Sequence, residues 1–315
     1  MMSSKERTQR LVADPAGIEE AARVLAAGGL VALPTETVYG LAARADDNDA
    51  VAAIYAAKGR PSFNPLIVHV ASLEAARSLA MFDAEALELA RWAWPGPLTL
   101  VLPRSLDARL AEAVTAGLPT VAVRVPSHPV MRAVLEACGL PLAAPSANRS
   151  GGISPTTAKH VLHTLSGRID LVLDAGASLG GLESTIVAVR MDGSMEELRP
   201  GPLNLTDFTA KLRGATSQAG GIEAPGQLAR HYAPGKPVRL NAVQPEDDEF
   251  FIGFASAGRA DCDLSPGGDL TEAAARLYAC LHLAAASPKP RIAVAPVPME
   301  GVGRAINDRL RRAAA

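Results

Sequence analysis

The stretch L-V-A-L-P-T-E-T-V-Y-G-L-A-A, Leu30 to Ala43, sets an apolar strand, a proline stop, a polar cluster and a glycine side by side. Leu30 to Leu33 reads as a short buried strand. Pro34 has no amide hydrogen to give a neighbouring strand, so the ladder is predicted to end there and the chain to leave the sheet. Thr35, Glu36, Thr37 and Tyr39 then lie on a loop at a strand end, where a rigid sheet holds binding groups. Gly40 lets the backbone turn back or lie close to a ligand. The same residues would also make an ordinary proline-initiated turn with polar decoration, so the rest of the chain has to decide between the two readings.

Working outward, Gly17 to Ala27 reads as a helix with Ile18, Ala22, Leu25 and Ala26 on one side, ended by Gly28-Gly29. Beyond the loop, a helix over Ala50 to Ala57 is capped by Asn48 or Asp49, and Leu66 to Val70 returns as a strand. Helices follow over Leu73 to Met81, Ala84 to Trp92, Pro129 to Cys138 and Thr157 to Leu165. Strands follow over Leu98 to Leu102, Val121 to Val125, Leu142 to Ala144, Leu171 to Leu173 and Thr185 to Arg190. Strands mostly separated by helices predict an α/β domain with a twisted sheet and flanking helices. Some adjacent strands lack a helix between them, so the sheet is mixed rather than purely parallel.

From Thr206 the pattern weakens, and Ala215 to Gln227 is rich in small residues, as linkers are. A second, smaller α/β pattern of Rossmann-like type follows, with strands at Phe250 to Phe254 and Arg291 to Ala295 and helices over Thr271 to Ala285 and Val302 to Arg312. The first of these helices repeats apolar residues at Ala274, Leu277, Tyr278 and Leu281, one core-facing stripe. The division is thus residues 14–205, a linker at 206–235, and 236–315.

The 315 residues are 48% hydrophobic, much of it alanine, and 4% aromatic. No uncharged apolar run approaches the roughly 18 residues that span a bilayer. The first ten residues mix charges and precede no apolar signal segment, so the cytoplasm is the default location and no membrane contact is expected. Residues 1–205 carry net charge −3 and the remainder +1, so bulk charge does not advertise nucleic-acid binding. Cys138, Cys262 and Cys280 are odd in number and widely spaced, which argues against a disulfide framework or a zinc site and reads as small buried hydrophobes.

Several clusters carry chemistry. In Lys58-Gly59-Arg60-Pro61-Ser62-Phe63-Asn64-Pro65 two cations flank a glycine, a point charge and a planar fork suited to oxyanions; the same cations would also favour a helix C-terminus. His69 follows on a strand. In T-V-A-V-R, alternation puts Thr120, Ala122 and Arg124 on one face, where a buried Arg124 would need a partner such as a ligand carboxylate, unless that face is in solvent. Ala143 to Pro155 offers Ser146, Asn148, Ser150 and Ser154 with exposed backbone amides suited to phosphate oxygens, without the spacing of a Walker loop. Ser184 and Thr185 stand at a strand entrance, and Arg199 at a strand end. There is no G-x-x-x-x-G-K-[ST], G-x-S-x-G or H-E-x-x-H, and His160 and His163 lack a third metal ligand nearby.

In this order, P-T-E-T-V-Y-G-L, K-G-R-P-S-F-N-P-L-I-V-H, W-P-G-P-L-T, T-V-A-V-R-V-P, A-A-P-S-A-N, E-S-T-I-V and L-R-P-G strongly resemble the YrdC-like family of threonylcarbamoyl-AMP synthases. The second part, with H-Y-A-P-G-K-P and G-V-G-R-A-I-N-D-R-L, looks like the extra C-terminal domain of the family's long form. The resemblance implies a nucleotidyltransferase that condenses L-threonine, bicarbonate and ATP, with Mg²⁺ on the nucleotide, into threonylcarbamoyl-AMP and pyrophosphate. Downstream tRNA-modifying proteins would use the product, and weak binding of tRNA itself stays open. Carried over residue by residue, it puts Thr35, His69, Arg124, Ala144 and Ser184 around threonine. It puts Lys58, Arg60, Asn64, Thr120, Ser146, Ser154, Arg199 and, from the linker, Tyr232 around ATP, with no metal ligand from protein side chains. The competing readings are a non-catalytic RNA-binding module with a cationic cleft, and carbamoyl transfer to another acceptor.

Overall fold

The computed structural model describes residues 8–208, 212–213, 222–227 and 231–315. The polar lead and most of the small-residue stretch from Ala215 lie outside the described residues.

The chain begins β1 (Gln9–Val12), α1 (Pro15–Ala26), β2 (Val31–Leu33), β3 (Gly40–Arg44), α2 (Asn48–Lys58) and β4 (Ile67–His69). It continues α3 (Leu73–Arg77), α4 (Ala84–Ala93), β5 (Leu98–Pro103), α5 (Glu112–Thr115), β6 (Thr120–Arg124), α6 (Pro129–Cys138) and β7 (Leu142–Ala143). Then come α7 (Ala158–Leu165), β8 (Leu171–Asp174), β9 (Thr185–Val189), β10 (Met195–Arg199), a 3-10 turn and β11 (Leu212–Arg213). The second unit is β12 (Val238–Arg239), β13 (Glu249–Gly253), β14 (Cys262–Asp263), α8 (Leu270–Ala286), β15 (Arg291–Val294) and α9 (Gly303–Ala314).

Local chemistry sets the boundaries. Asp14 accepts from the Gly17 amide and Pro15 opens α1. Asp47, not Asn48 or Asp49, caps α2, and Gly59 closes it in the left-handed region at φ 61°. On α1 the buried side includes Ala21, Ala22 and Leu25, whereas Ala26 is exposed.

Among the described residues eleven strands form one mixed sheet in the order β1-β8-β2-β3-β7-β4-β6-β5-β9-β10-β11. The predicted mixed α/β sheet is therefore observed, with one strand more beside the loop than expected: Gly40 opens β3 antiparallel to β2 instead of turning away. Alternation along β2 covers both faces. Val31 and Leu33 face the core shared with α1 and α6, which includes Leu25, Met131 and Leu135, while Ala32 faces the larger core on the other side of the sheet, to which α2, α4 and α7 contribute Val51, Leu89 and Val161. The second sheet is four parallel strands, β12-β15-β13-β14, covered by α8 and α9. Among the described residues no helix is long and apolar enough to cross a membrane.

The cysteine reading needs correction. Cys262 and Cys280 form a disulfide, with Cα atoms 5.9 Å apart, and only Cys138 is a free thiol. Sequence separation hid the pair because α8 folds back against the edge strand β14. Of the three, Cys280 alone is fully buried.

Candidate functional site

Register places the ends of β4, β6 and β10 beside the starts of β5 and β9: His69 pairs with Arg124, Leu98 with Thr185, and Arg199 with Ile186. His69, Arg124, Ser184 and Arg199 are thereby brought to one end of neighbouring strands. Two loops complete a cleft there, the Pro34–Tyr39 segment and the segment leaving β7. Backbone bonds stitch the two together, from Leu41 to the Pro145 carbonyl, Ala147 to the Tyr39 carbonyl and Tyr39 to the Pro155 carbonyl. The described part of the linker lies across the opening. Ala233 donates to the Gly151 carbonyl, and Pro225, Gly226, His231 and Tyr232 line the cleft with the strand-end residues.

One half of the cleft centres on Arg124, which is 3% exposed, so it cannot rely on water to stabilise its charge. Its partner comes from the loop. Nη2 donates to Glu36 Oε1 at 2.6 Å, Nη1 to Thr37 Oγ1 at 3.1 Å and Nε to the Gly96 carbonyl at 3.2 Å. Burial alone would raise the Glu36 carboxyl, but the charge and hydrogen bond of Arg124 outweigh it and hold the group at about 2. Thr35 shapes the loop: its hydroxyl donates to the Val38 carbonyl at 2.6 Å and accepts from the amides of Thr37 and Val38. His69 is driven down to about 3 by burial and then by Arg124, so it is a neutral imidazole, and among the described residues its Nδ1 has no hydrogen-bond partner. Ser184 meets Thr99 at 2.7 Å, and Ala144 lines the wall beside Gly40.

The other half gathers cations bonded to neutral oxygens. Arg60 donates to Asn64 Oδ1 at 2.6 Å and to the Asn64 and Pro65 carbonyls. Arg199 donates to the Ser184 carbonyl at 2.9 Å and to the Pro225 carbonyl. Lys58, 2% exposed, gives 2.6 Å bonds to the Ser146 and Asn148 carbonyls. Burial lowers all three: Lys58 well below its ordinary value, Arg60 to about 10, and Arg199 in the same direction. Glu183 offsets part of this charge beside Arg199, and the positive field that remains in a partly dry site is one that an incoming polyanion would relieve.

Nine of the thirteen residues singled out in the sequence line this one cleft: Thr35, Arg60, His69, Arg124, Ala144, Ser146, Ser184, Arg199 and Tyr232. The structure does not bring the other four to its surface. Lys58 and Asn64 stand behind it, as anchors of the Ser146–Asn148 backbone and of Arg60. Ser154 is turned onto the Glu183 carboxylate at 2.5 Å. Thr120 opens β6 at the end opposite Arg124, paired with Pro103, and contributes nothing to the cleft wall. Glu36 and Thr37, placed on the loop by the sequence but given no substrate there, turn out to hold Arg124, and Glu183 and His231 were not selected at all. Glu183 and His231 each stand next to a selected residue in the same motif, and that adjacency is the sequence signal they carry.

Comparison with known proteins identifies the family. Residues 23–201 match the family model described as "Telomere recombination", and residues 194–315 match "Threonylcarbamoyl-AMP synthase, C-terminal domain". The chain is 40% identical to the threonylcarbamoyl-AMP synthase of Bacillus subtilis, over 98% of this chain and 95% of that one. It is 38% identical to the protein of that name from Pyrococcus abyssi, over 94% of this chain and 93% of the relative. The crystal structure of P. abyssi Sua5 complexed with L-threonine superposes with a TM-score of 0.88 at 36% identity, covering 98% of this chain and 97% of that one.

Proposed function

The chain belongs to the family of two-domain threonylcarbamoyl-AMP synthases, and from that premise we infer that it condenses L-threonine, bicarbonate and ATP into threonylcarbamoyl-AMP and pyrophosphate. The observation that carries the reading is the division of a single cleft into an Arg124 half and a half built from the buried cations Lys58, Arg60 and Arg199.

The amino acid's carboxylate suits Arg124, with Thr35, Ser184 and the neutral His69 around its remaining polar atoms. Binding there requires Glu36 to share or yield the guanidinium it now holds. Threonine's amine attacks inorganic carbon only when neutral, and cationic, partly dry surroundings disfavour an ammonium, so the site itself promotes the reactive form. Nitrogen bonds to the carbon of bicarbonate or CO₂ to give a carbamate. A carbamate oxygen then bonds to the α-phosphorus of ATP as the bond to the β-phosphate oxygen breaks, releasing pyrophosphate. Overall, one water leaves with the bicarbonate oxygen. The carbamate is short-lived, so positioning and exclusion of water matter more than a strong base, and no enzyme nucleophile is required. Arg60 and Arg199, with Lys58 behind them, oppose the charge that gathers on the leaving pyrophosphate.

Mg²⁺ enters this reading with the nucleotide, where it would neutralise phosphate charge. Among the described residues no group of three His, Cys, Asp or Glu side chains is gathered, and an Mg²⁺ carried on the triphosphate needs no such cage. We further propose that cytoplasmic tRNA-modifying proteins consume the product. The test is direct: the purified chain with threonine, bicarbonate and ATP·Mg²⁺ should release pyrophosphate only when threonine is present. Release that ignores threonine, or no release, defeats the reading. Supplying carbamoyl phosphate instead of threonine separates it from transfer to another acceptor.

A further inference from the structure

The densest buried polar cluster outside the substrate contacts joins the two domains. Glu183 lies in the first domain, one residue before Ser184, and its carboxylate lines the cleft. Two of its ligands come from the second domain: Tyr278 of α8 donates to Oε2 at 2.8 Å, and Arg309 of α9 donates from Nε to the same oxygen at 2.9 Å. Ser154 supplies the third. The Arg309 guanidinium also lies 5.5 Å from the ring centroid of Tyr232, whose own ring is 5.5 Å from that of Tyr278. Arg309, Tyr278 and Tyr232 are each at most 1% exposed.

Stability alone gives little reason for such a cluster. A buried ion pair scarcely outperforms an apolar replacement of the same shape, and among the described residues one Arg309 nitrogen, Nη2, finds no hydrogen-bond partner. Its position is informative, since every group it fixes borders the cationic half of the cleft. Glu183 stands between Arg309 and Arg199, and burial, which would raise it, is overridden by those two charges, which hold it at about 2. Gly226, on the linker wall, packs so tightly between the Arg199 side chain and the Tyr232 hydroxyl that a Cβ there would meet Arg199 Cδ at 2.9 Å. The Arg124 half has further anchors within the first domain, Thr99 on Ser184 and Glu36 on Arg124, and meets the cationic half at Ser184, whose carbonyl and hydroxyl accept from Arg199.

We propose that Tyr278 and Arg309 are positioning residues for the nucleotide half of the cleft: reaching in from the second domain, they fix Glu183 and Tyr232 and so set the wall against which ATP is held. The proposal rests on the synthase reading. It predicts a split between substrates that a merely structural role would not produce.

The experiment uses the full chain carrying Tyr278→Phe, Arg309→Met or Arg309→Lys, with KM measured for ATP and for threonine and threonine binding measured by calorimetry without ATP. Tyr278→Phe removes one hydroxyl and keeps the ring, so it should fold and raise the KM for ATP about ten-fold or more, as expected for a lost bond to a buried charge. Threonine binding should stay unchanged. Arg309→Met should raise the KM for ATP further, and Arg309→Lys, keeping the charge without the fork, should recover part of that loss. Equal rises for both substrates, or no rise in a folded Tyr278→Phe protein, overturn the proposal. Absence of threonine-dependent pyrophosphate from the unsubstituted chain overturns the synthase reading instead.

Discussion

Arg124 and Lys58 are both buried cations at the cleft, and their partners give them different work. Arg124 is neutralised by Glu36 and so stands ready to exchange one carboxylate for another. Arg124→Ala is expected to abolish measurable threonine binding by calorimetry, and to lower stability by about 3 kcal/mol or more because Glu36 is left buried without its partner. Arg124→Lys should keep the fold better than the substrate, since an ammonium lacks the planar fork. Lys58 holds two carbonyls rather than a ligand. Lys58→Met fills a similar volume but removes the donor to the Asn148 carbonyl and leaves the Ser146 carbonyl only the Asn148 amide, so the loss of ATP turnover should come with destabilisation of roughly 1–3 kcal/mol by thermal unfolding. This difference marks the limit of what the residues disclosed in sequence. The motifs named the right neighbourhood, yet Lys58, Asn64 and Ser154 show that a polar side chain in a site motif can serve the backbone or another side chain. A one-dimensional pattern contains no direction for an Nζ or an Oγ. Glu36 was placed on the site loop but not paired with Arg124 for the complementary reason, because a partner for Arg124 was sought in a ligand when the loop supplied one itself.

Among the elements, Pro129 to Cys138 is found with the predicted ends, because a proline at the first position and Gly139 after the last leave the helix no choice. β3 was not foreseen. Its Gly-Leu-Ala-Ala-Arg has neither β-branched residues nor alternation, and it is a strand because β2 and β7 on either side pair with it. On α8 the predicted stripe is fully buried, but it does two jobs: Leu277 packs under its own sheet while Tyr278 and His282 reach the first domain. That docking depends on Gly181, at φ 69°, where a Cβ would lie 2.4 Å from the Ala274 carbonyl oxygen and 2.5 Å from Ala275 Cα. Both close contacts are to helix backbone, which cannot swing aside. Gly181→Ala should therefore push the Gly180–Ser184 segment off α8, lowering stability by about 2 kcal/mol or more. It should also raise the KM for ATP; a variant with unchanged melting temperature would show that the segment and α8 are not tightly docked.

The smaller α/β unit could be read from the alternation of elements, but how the two units meet could not, because the meeting surface is built from isolated polar residues without periodicity. Titration offers a way to measure that surface. His160 of α7 stacks on His282 of α8 with ring centroids 3.8 Å apart, and His282 Nε2 lies 3.1 Å from the Ser154 carbonyl oxygen. Burial first, then for His160 the charges of His282, Lys159 and His163, pushes both down to about 4; His69 and His231 are driven, again chiefly by burial, to about 3. A group whose folded value lies below its unfolded value near 6.5 binds a proton on unfolding at any pH between the two. Folding stability is therefore full above 6.5 and declines as pH falls toward the folded values, by at most about 1.4 kcal/mol per pH unit for each histidine. Glu36 and Glu183, held at about 2, add their own loss only below about 4.5, as pH falls toward 2. The melting temperature should accordingly be flat above pH 7 and fall steeply between pH 6.5 and 4.5, before any carboxylate contributes. His282→Gln keeps an amide donor for the Ser154 carbonyl and removes one titrating group, so its slope in that window should be shallower by up to one proton. A melting temperature independent of pH from 7.5 to 5 would mean that these imidazoles are not held neutral and that the domains meet through a wetter surface.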